Sequence, residues 1–168
     1  VISIALFIFV KWTTSEKSVK SLTTFEFIFL VGCFVYYAMW IIKPLNYGPD
    51  EHMRYEVSRF FFENNRLPIG KELCTVLDYI PMKIAALFTT NWFYILLAAR
   101  MVSVCCATLT VYFTVKASKQ VFKNPTRWIM ISLVAALPQF AFLGSYVNND
   151  ICAMLGISIV LYAWTLAI

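Results

Sequence analysis

The sequence predicts an all-α polytopic membrane protein, and three observations support this fold class. Of the 168 residues, 61% are hydrophobic and 14% are charged, with a mean hydropathy of +0.73. Soluble domains are about 45–50% apolar and about 25% charged. The apolar residues are gathered in runs of about 17 residues or more, the range that crosses a bilayer as a helix. The short connections between the runs carry an excess of Lys and Arg, as expected of cytoplasmic loops.

We expect a single transmembrane module whose two short basic segments lie on the cytoplasmic side, because two spans separate them. The long loop and the hairpin then lie outside the cell. In chain order the predicted segments are a membrane stub or partial span (1–10), a basic segment (11–24), a span (25–42), a long external loop (43–91), a span (92–115), a basic loop (116–127), a span bent or broken near Pro138 (128–144), an external hairpin (145–150) and the start of a fourth span (151–168).

The external loop has six basic and six acidic residues and is therefore neutral overall. Apolar residues recur at helical spacing within 49–65, which predicts an amphipathic helix that lies on the membrane. A second such helix is predicted at 73–88, broken by Pro81. Glu26, at the start of a span, is expected to be interfacial rather than buried.

Charge and cysteine content exclude two function classes. The net charge of +5 does not form a basic stripe with interleaved aromatic residues, so a nucleic-acid partner is not expected. Four of the five cysteines fall inside apolar runs, where Cys is usually a small buried hydrophobe. Cys74 has no partner in a loop, and we predict neither a disulfide framework nor a cysteine metal site.

Two adjacent carboxylates, Asp50 and Glu51, follow a Gly-Pro break directly after the first complete span. Pro is favoured at the first position of a helix, which would place both acids in a first helical turn, where the helix dipole favours negative charge. They could accept a proton or hold a cation. The alternative is that they only cap a surface helix.

Arg100 is the one charged residue near the middle of a predicted span. A buried arginine at the centre of a membrane helix costs at least about 2.5–3.5 kcal/mol, so it faces a partner or a watery cavity. It lies eight residues after Trp92, roughly 12 Å along a helix, in the outer half of the bilayer. The alternative is a structural arginine that pairs with a carboxylate or carbonyl of a neighbouring helix.

Asp150, after Asn148 and Asn149, stands where the third span turns into the fourth. Asn-Asn-Asp is also good turn and capping chemistry, so a purely structural role is the alternative. By the predicted topology, however, the first-loop acids, Arg100 and Asp150 share one level at the external face. Acids around a deep arginine suit a phosphate-bearing lipid and a polar acceptor.

Three passages resemble the GT-C membrane glycosyltransferases, in particular the bacterial group related to protein O-mannosyltransferases and aminoarabinose transferases. Residues 47–55 (Tyr-Gly-Pro-Asp-Glu-His-Met-Arg-Tyr) are similar to the family's acidic first external loop. Residues 99–103 (Ala-Arg-Met-Val-Ser), continuing to 122, resemble its second span with an outer arginine. Residues 137–150 resemble its third span and second acidic loop.

The resemblance implies an inverting transferase that uses a sugar on a polyprenyl phosphate, and a glycan, protein or lipid as acceptor. Asp50 would be the catalytic base, with Glu51 as neighbour or substitute. A divalent cation, Mg or Mn, could be held by Asp50 and Asp150. The residues implied to bind donor or acceptor are Arg100, Asp150, Asn149, His52 and Arg54.

The resemblance also implies a place in the bacterial plasma membrane and a longer chain, because family members have many more spans. The sequence would then be the N-terminal module. Two other functions fit the same features. One is a non-catalytic subunit or flippase-like partner that binds the lipid phosphate, and the other is a small transporter module.

Overall fold

The computed structural model describes residues 22–43, 48, 50–70, 72–123 and 125–167. The predicted stub at 1–10, most of the basic segment 11–24 and the predicted helix start at Pro49 lie outside the described residues. Within them, every regular element is an α-helix. The helices are α1 (Thr24–Met39), α2 (Glu51–Glu63), α3 (Leu73–Ala86), α4 (Trp92–Val121), α5 (Thr126–Ala136), α6 (Pro138–Leu143) and α7 (Asp150–Ala167).

Helix α4 is the central element, and α1 runs antiparallel to it. At one end, which we call the basic end, the Glu26 carboxylate of α1 lies 2.5 Å from Nζ of Lys119 and 3.6 Å from the guanidinium of Arg127. At the other end, which we call the hairpin end, the carbonyl of Ile41 accepts a 2.7 Å hydrogen bond from Arg100. The expectation that Glu26 is not buried was therefore wrong, because its side chain is fully buried and pairs with two cations.

Helix α7 runs parallel to α4, because Cys152 lies beside Cys106 and Tyr162 stacks near Phe113 farther along both helices. A buried apolar core joins α4 to α1, α5, α6 and α7. Two described helices, α4 and α7, are long and apolar enough to cross a membrane, whereas α1 and α5 are shorter apolar helices. The described part of the chain is thus all-helical, with two candidate membrane-spanning helices.

The segment predicted as one span over 128–144 consists of two helices, with the predicted break at Leu137, directly before Pro138. Leu137 has an extended ψ of 120°, as expected of a residue before proline. The Tyr37 hydroxyl of α1 donates a 2.9 Å hydrogen bond to the Ala135 carbonyl next to this break. A carbonyl without a helical partner is therefore satisfied from α1.

Helices α2 and α3 form a layer against the first turns of α4. A second apolar core fills this contact, with Tyr55, Met82, Ile95, Leu96, Ala99 and Val147 as its buried members. The predicted amphipathic character of α2 is visible in its exposed Met53 and Phe60. Helix α3 is not broken at Pro81 as predicted. Although proline removes one backbone hydrogen bond, both halves of α3 pack inward, with Cys74 and Met82 buried.

The prediction that no disulfide would form was also wrong, since Cys74 of α3 is joined to Cys152 of α7. Cys152 had been assigned to the interior of a span. It lies in the first turn of α7, two residues after Asp150, and α3 reaches that level beside α4.

Asp78 of α3 is a buried carboxyl in the layer of α2 and α3, with its side chain facing Ser58. Burial raises the pKa of Asp78 to about 8, and the Ser58 hydroxyl offsets this rise in part. Ser58 Oγ, however, makes no hydrogen bond of normal geometry. Few interactions therefore offset the free-energy cost of burying the ionised form of Asp78.

We predict that the native fold loses stability as the pH rises from about 4, the ordinary Asp pKa, to about 8. In this range the unfolded chain releases a proton that folded Asp78 retains, which favours unfolding. Asp78→Asn should remove this dependence and raise the free energy of unfolding at pH 8 by about 1–3 kcal/mol. Thermal unfolding in detergent across this pH range measures both effects. The exposed Glu63→Gln serves as control, and an unchanged pH profile in Asp78→Asn would contradict the prediction.

Candidate functional site

Asp50 is the residue from which the site is built. It precedes the first residue of α2 and has a left-handed backbone, with φ 59°, a conformation that Asp tolerates better than most residues. Its side chain makes no cap hydrogen bond and is exposed. The structure therefore does not use the Asp50 carboxylate as a helix cap, which was the structural alternative.

Glu51, the next residue, has the opposite environment. Its side chain is fully buried and pairs with the fully buried Arg100 of α4. Nε and Nη2 of Arg100 each donate a 2.8 Å hydrogen bond to a different carboxylate oxygen. This two-point geometry is the strongest that Arg and a carboxylate form.

The rest of the Arg100 guanidinium is also engaged. Its Nη1 donates to the carbonyls of Ile41 and Lys43, at the end of the first apolar segment. In this structure Arg100 of α4 therefore connects α2 to the segment that follows α1. This matches the alternative of a structural arginine that pairs with a carboxylate or carbonyl of a neighbouring helix. A direct contact between Arg100 and a donor phosphate would require these bonds to be exchanged.

The hairpin at 145–150 joins the same cluster. The backbone N–H of Val147 donates a 3.2 Å hydrogen bond to Glu51 Oε1, and the Ser103 hydroxyl of α4 donates to the carbonyl of Tyr146 at 2.7 Å. Asn148 fixes the turn, because its side-chain NH₂ donates to the carbonyls of Leu143 and Tyr146 and its side-chain oxygen accepts from the N–H of Ile151. The predicted convergence of first loop, Arg100 and hairpin is therefore present in the structure.

Tyr146 is a residue of the site that sequence reasoning missed. Its ring packs on Gly48, where an added Cβ would lie only 2.3–2.5 Å from three ring atoms. The pKa of Tyr146 is raised by burial and then by the charges of Asp150, Asp50 and Glu51. The available signal in the sequence was an aromatic residue in a hairpin whose other residues, apart from Val147, are polar. Tyr146 lies among the acids of both loops.

The remaining predicted residues lie around this cluster. Asp150 is exposed at the start of α7, and the cap to Ile151 comes from Asn148. Asn149 is half-buried, and His52 is exposed one position after Glu51. Arg54 forms an ion pair with Glu72 at the surface. Of the three acids predicted for the site, Asp50 and Asp150 are therefore exposed and Glu51 is buried.

No group of three or more His, Cys, Asp or Glu side chains that could hold a metal ion occurs within the described parts of the chain. Asp50 and Asp150 supply carboxylate oxygens, which Mg²⁺ and Mn²⁺ prefer. Mg²⁺ is usually held by one or two carboxylates together with water and substrate phosphates. Such an ion would depend on the donor for part of its coordination.

We predict that Gly48→Ala displaces the Tyr146 ring and lowers the free energy of unfolding by about 1–3 kcal/mol, the usual effect of overpacking. Gly32→Ala is the matched control, because nothing lies within 4 Å of an added Cβ there and Ala is the better helix former. Thermal unfolding of both variants measures the difference. Equal stability of the two variants would show that the contact between Gly48 and Tyr146 is unimportant.

Comparisons with protein-family models, with characterised proteins and with solved structures gave no significant match. The resemblance to GT-C transferases thus rests on the three passages quoted above.

Proposed function

We propose that this chain is part of a membrane glycosyltransferase that moves a sugar from a polyprenyl phosphate to an acceptor at the external face of the membrane. The observation that carries the proposal is the arrangement around Arg100. Glu51 is buried against Arg100 and Val147, while the adjacent Asp50 is exposed beside the second acidic loop. The two neighbouring acids therefore have different environments, which suits different tasks.

Asp50 is the base in this proposal. An exposed carboxylate at the mouth of a polar cluster can take the proton of an acceptor hydroxyl. The acceptor oxygen then attacks C1 of the sugar, the bond between C1 and the phosphate oxygen breaks, and the lipid phosphate leaves with the electron pair. Attack opposite the leaving group inverts the configuration at C1.

Glu51 and Arg100 are positioning residues in this proposal. Their ion pair ties the start of α2 to α4 and to the hairpin, which fixes the backbone of Asp50 one residue earlier. Holding a catalytic group in place lowers the entropy that the reaction must lose. Glu51 is a poor substitute for Asp50, because both of its oxygens already accept hydrogen bonds.

The donor phosphate needs cations that are free to reach it. Arg54 and His52 are the candidates at the start of α2, since Arg54 is 40% exposed despite its ion pair with Glu72 and His52 is exposed. An exposed ion pair contributes little to stability, so Arg54 can exchange Glu72 for a phosphate at low cost. Asp150 would orient the acceptor or hold a cation on the other side.

The basic end of the bundle supports the proposed orientation. Lys119 and Arg127 lie there with Glu26, and Lys116 and Lys123 add further positive charge nearby in the sequence. Such an excess marks the cytoplasmic side of a membrane protein. The hairpin end, with Asp50 and the disulfide, would then be external.

We predict that Asp50→Asn in the full-length protein lowers transfer of labelled sugar from a polyprenyl-phosphate donor by about 10²–10⁴-fold, the usual contribution of a general base. Glu56→Gln is the matched control, because Glu56 is an acid of α2 that pairs with Arg59 at the surface. Transfer in proteoliposomes measures both.

Full activity of Asp50→Asn would contradict the assignment of the base. Binding of the donor lipid without any transfer by the unaltered protein would favour the non-catalytic lipid-binding subunit. Flux of a solute in the same vesicles would favour the transporter module.

A further inference from the structure

Three sulfur atoms meet at the hairpin end, where α3, α4 and α7 come together. Cys74 and Cys152 form the disulfide that joins α3 to α7. Sγ of Cys106, on α4, lies 3.7 Å from Sγ of Cys152. Cys106 is a free and buried thiol, so a nucleophile faces one sulfur of an existing disulfide.

A comparison with the neighbouring Cys105 shows that only one of the two adjacent cysteines of α4 can reach Cys152. Cys105 is also a free cysteine, but it is exposed, whereas Cys106 is buried. Successive residues of a helix point about 100° apart, at 3.6 residues per turn. Only Cys106 therefore has the register that brings its sulfur to Cys152.

A buried carboxyl accompanies the sulfurs. Asp78 lies four residues after Cys74 on α3 and hence on the same helix face. It is close enough to Cys106 to interact with it electrostatically. Thiol–disulfide exchange requires loss of the thiol proton. Asp78 can accept this proton in its ionised form, which burial, by raising its pKa, confines to pH values above about 8.

We propose that these residues form an internal thiol–disulfide exchange centre, in which Cys152 is the shared sulfur. The Cys106 thiol gives its proton to the Asp78 carboxylate, and the resulting thiolate attacks Sγ of Cys152. The bond between Cys152 and Cys74 breaks as the bond between Cys152 and Cys106 forms. Cys74 leaves as a thiolate and takes up the proton, so the exchange consumes neither an oxidant nor a reductant.

The exchange changes which helices are joined covalently. With Cys74 bonded to Cys152, the layer of α2 and α3 is fastened to α7, which begins at Asp150. With Cys106 bonded to Cys152, α4 is fastened to α7 and α3 is released. The covalent link between the two acid-bearing elements is thus made or removed by one local step. The proposal does not depend on the chain being a glycosyltransferase.

Disulfide mapping of the full chain tests the proposal. The protein in detergent is quenched with acid, denatured, alkylated with iodoacetamide and digested with trypsin, in a Cys105→Ser background so that Cys106 is the only cysteine of its peptide. Trypsin separates Cys74, Cys106 and Cys152, because Lys or Arg lies between them. We expect the alternative bond, with alkylated Cys74, in about 0.1–10% of molecules, the range of a minor state.

Two variants sharpen the result. Cys74→Ser, treated with diamide, should form the bond between Cys106 and Cys152 almost completely. When the folded protein is incubated with iodoacetamide at pH 9 in place of the acid quench, Asp78→Asn should slow the alkylation of Cys74, because this thiol is released only by the exchange. The proposal is overturned if Cys106 and Cys152 are both alkylated in Cys74→Ser, or if Cys74 and Cys152 are unlinked in the starting protein.

Discussion

The buried ion pair between Glu51 and Arg100 is the interaction on which the hairpin end of the molecule depends. Both side chains are fully buried, and an isolated charge in such a place would be costly. The cost is offset because Arg100 also donates to the Ile41 and Lys43 carbonyls and Glu51 also accepts from the Val147 N–H. Removing one partner of a buried pair generally costs about 3–5 kcal/mol.

The pair also determines what the surrounding residues can do. Because Glu51 is held inward at the first turn of α2, the preceding Asp50 is turned outward in a left-handed conformation. The Val147 contact brings the hairpin to the same place, so that Tyr146 packs on Gly48 among the acids. The proposed catalytic carboxylate is therefore exposed as a consequence of its neighbour's burial.

The sequence predicted the helices well, because apolar periodicity and run length report directly on helices. It also predicted that Asp50, Glu51, Arg100 and the hairpin would meet, since charge asymmetry places the connections on two sides. It could not assign the partner of Arg100, because two adjacent acids were available and only packing distinguishes them. The same limit explains the missed contact between Glu26 and Lys119.

The two larger failures have a common cause. Cys74 was judged by its place in the loop and Pro81 by its local propensity, without the helices that pack beside them. Packing against α4 keeps α3 intact through Pro81 and carries Cys74 to Cys152. Tertiary contacts of this kind override local preference, and they cannot be read from residue spacing.

A double-mutant cycle on Glu51→Gln and Arg100→Gln, measured by thermal unfolding in detergent, tests the central claim most directly. Each single variant should lose several kcal/mol of stability, and the double variant should lose less than the sum, with a coupling energy of at least about 0.5–3 kcal/mol. Losses that add to within about 0.5 kcal/mol would show that the two side chains act independently, and the account of this site would be contradicted.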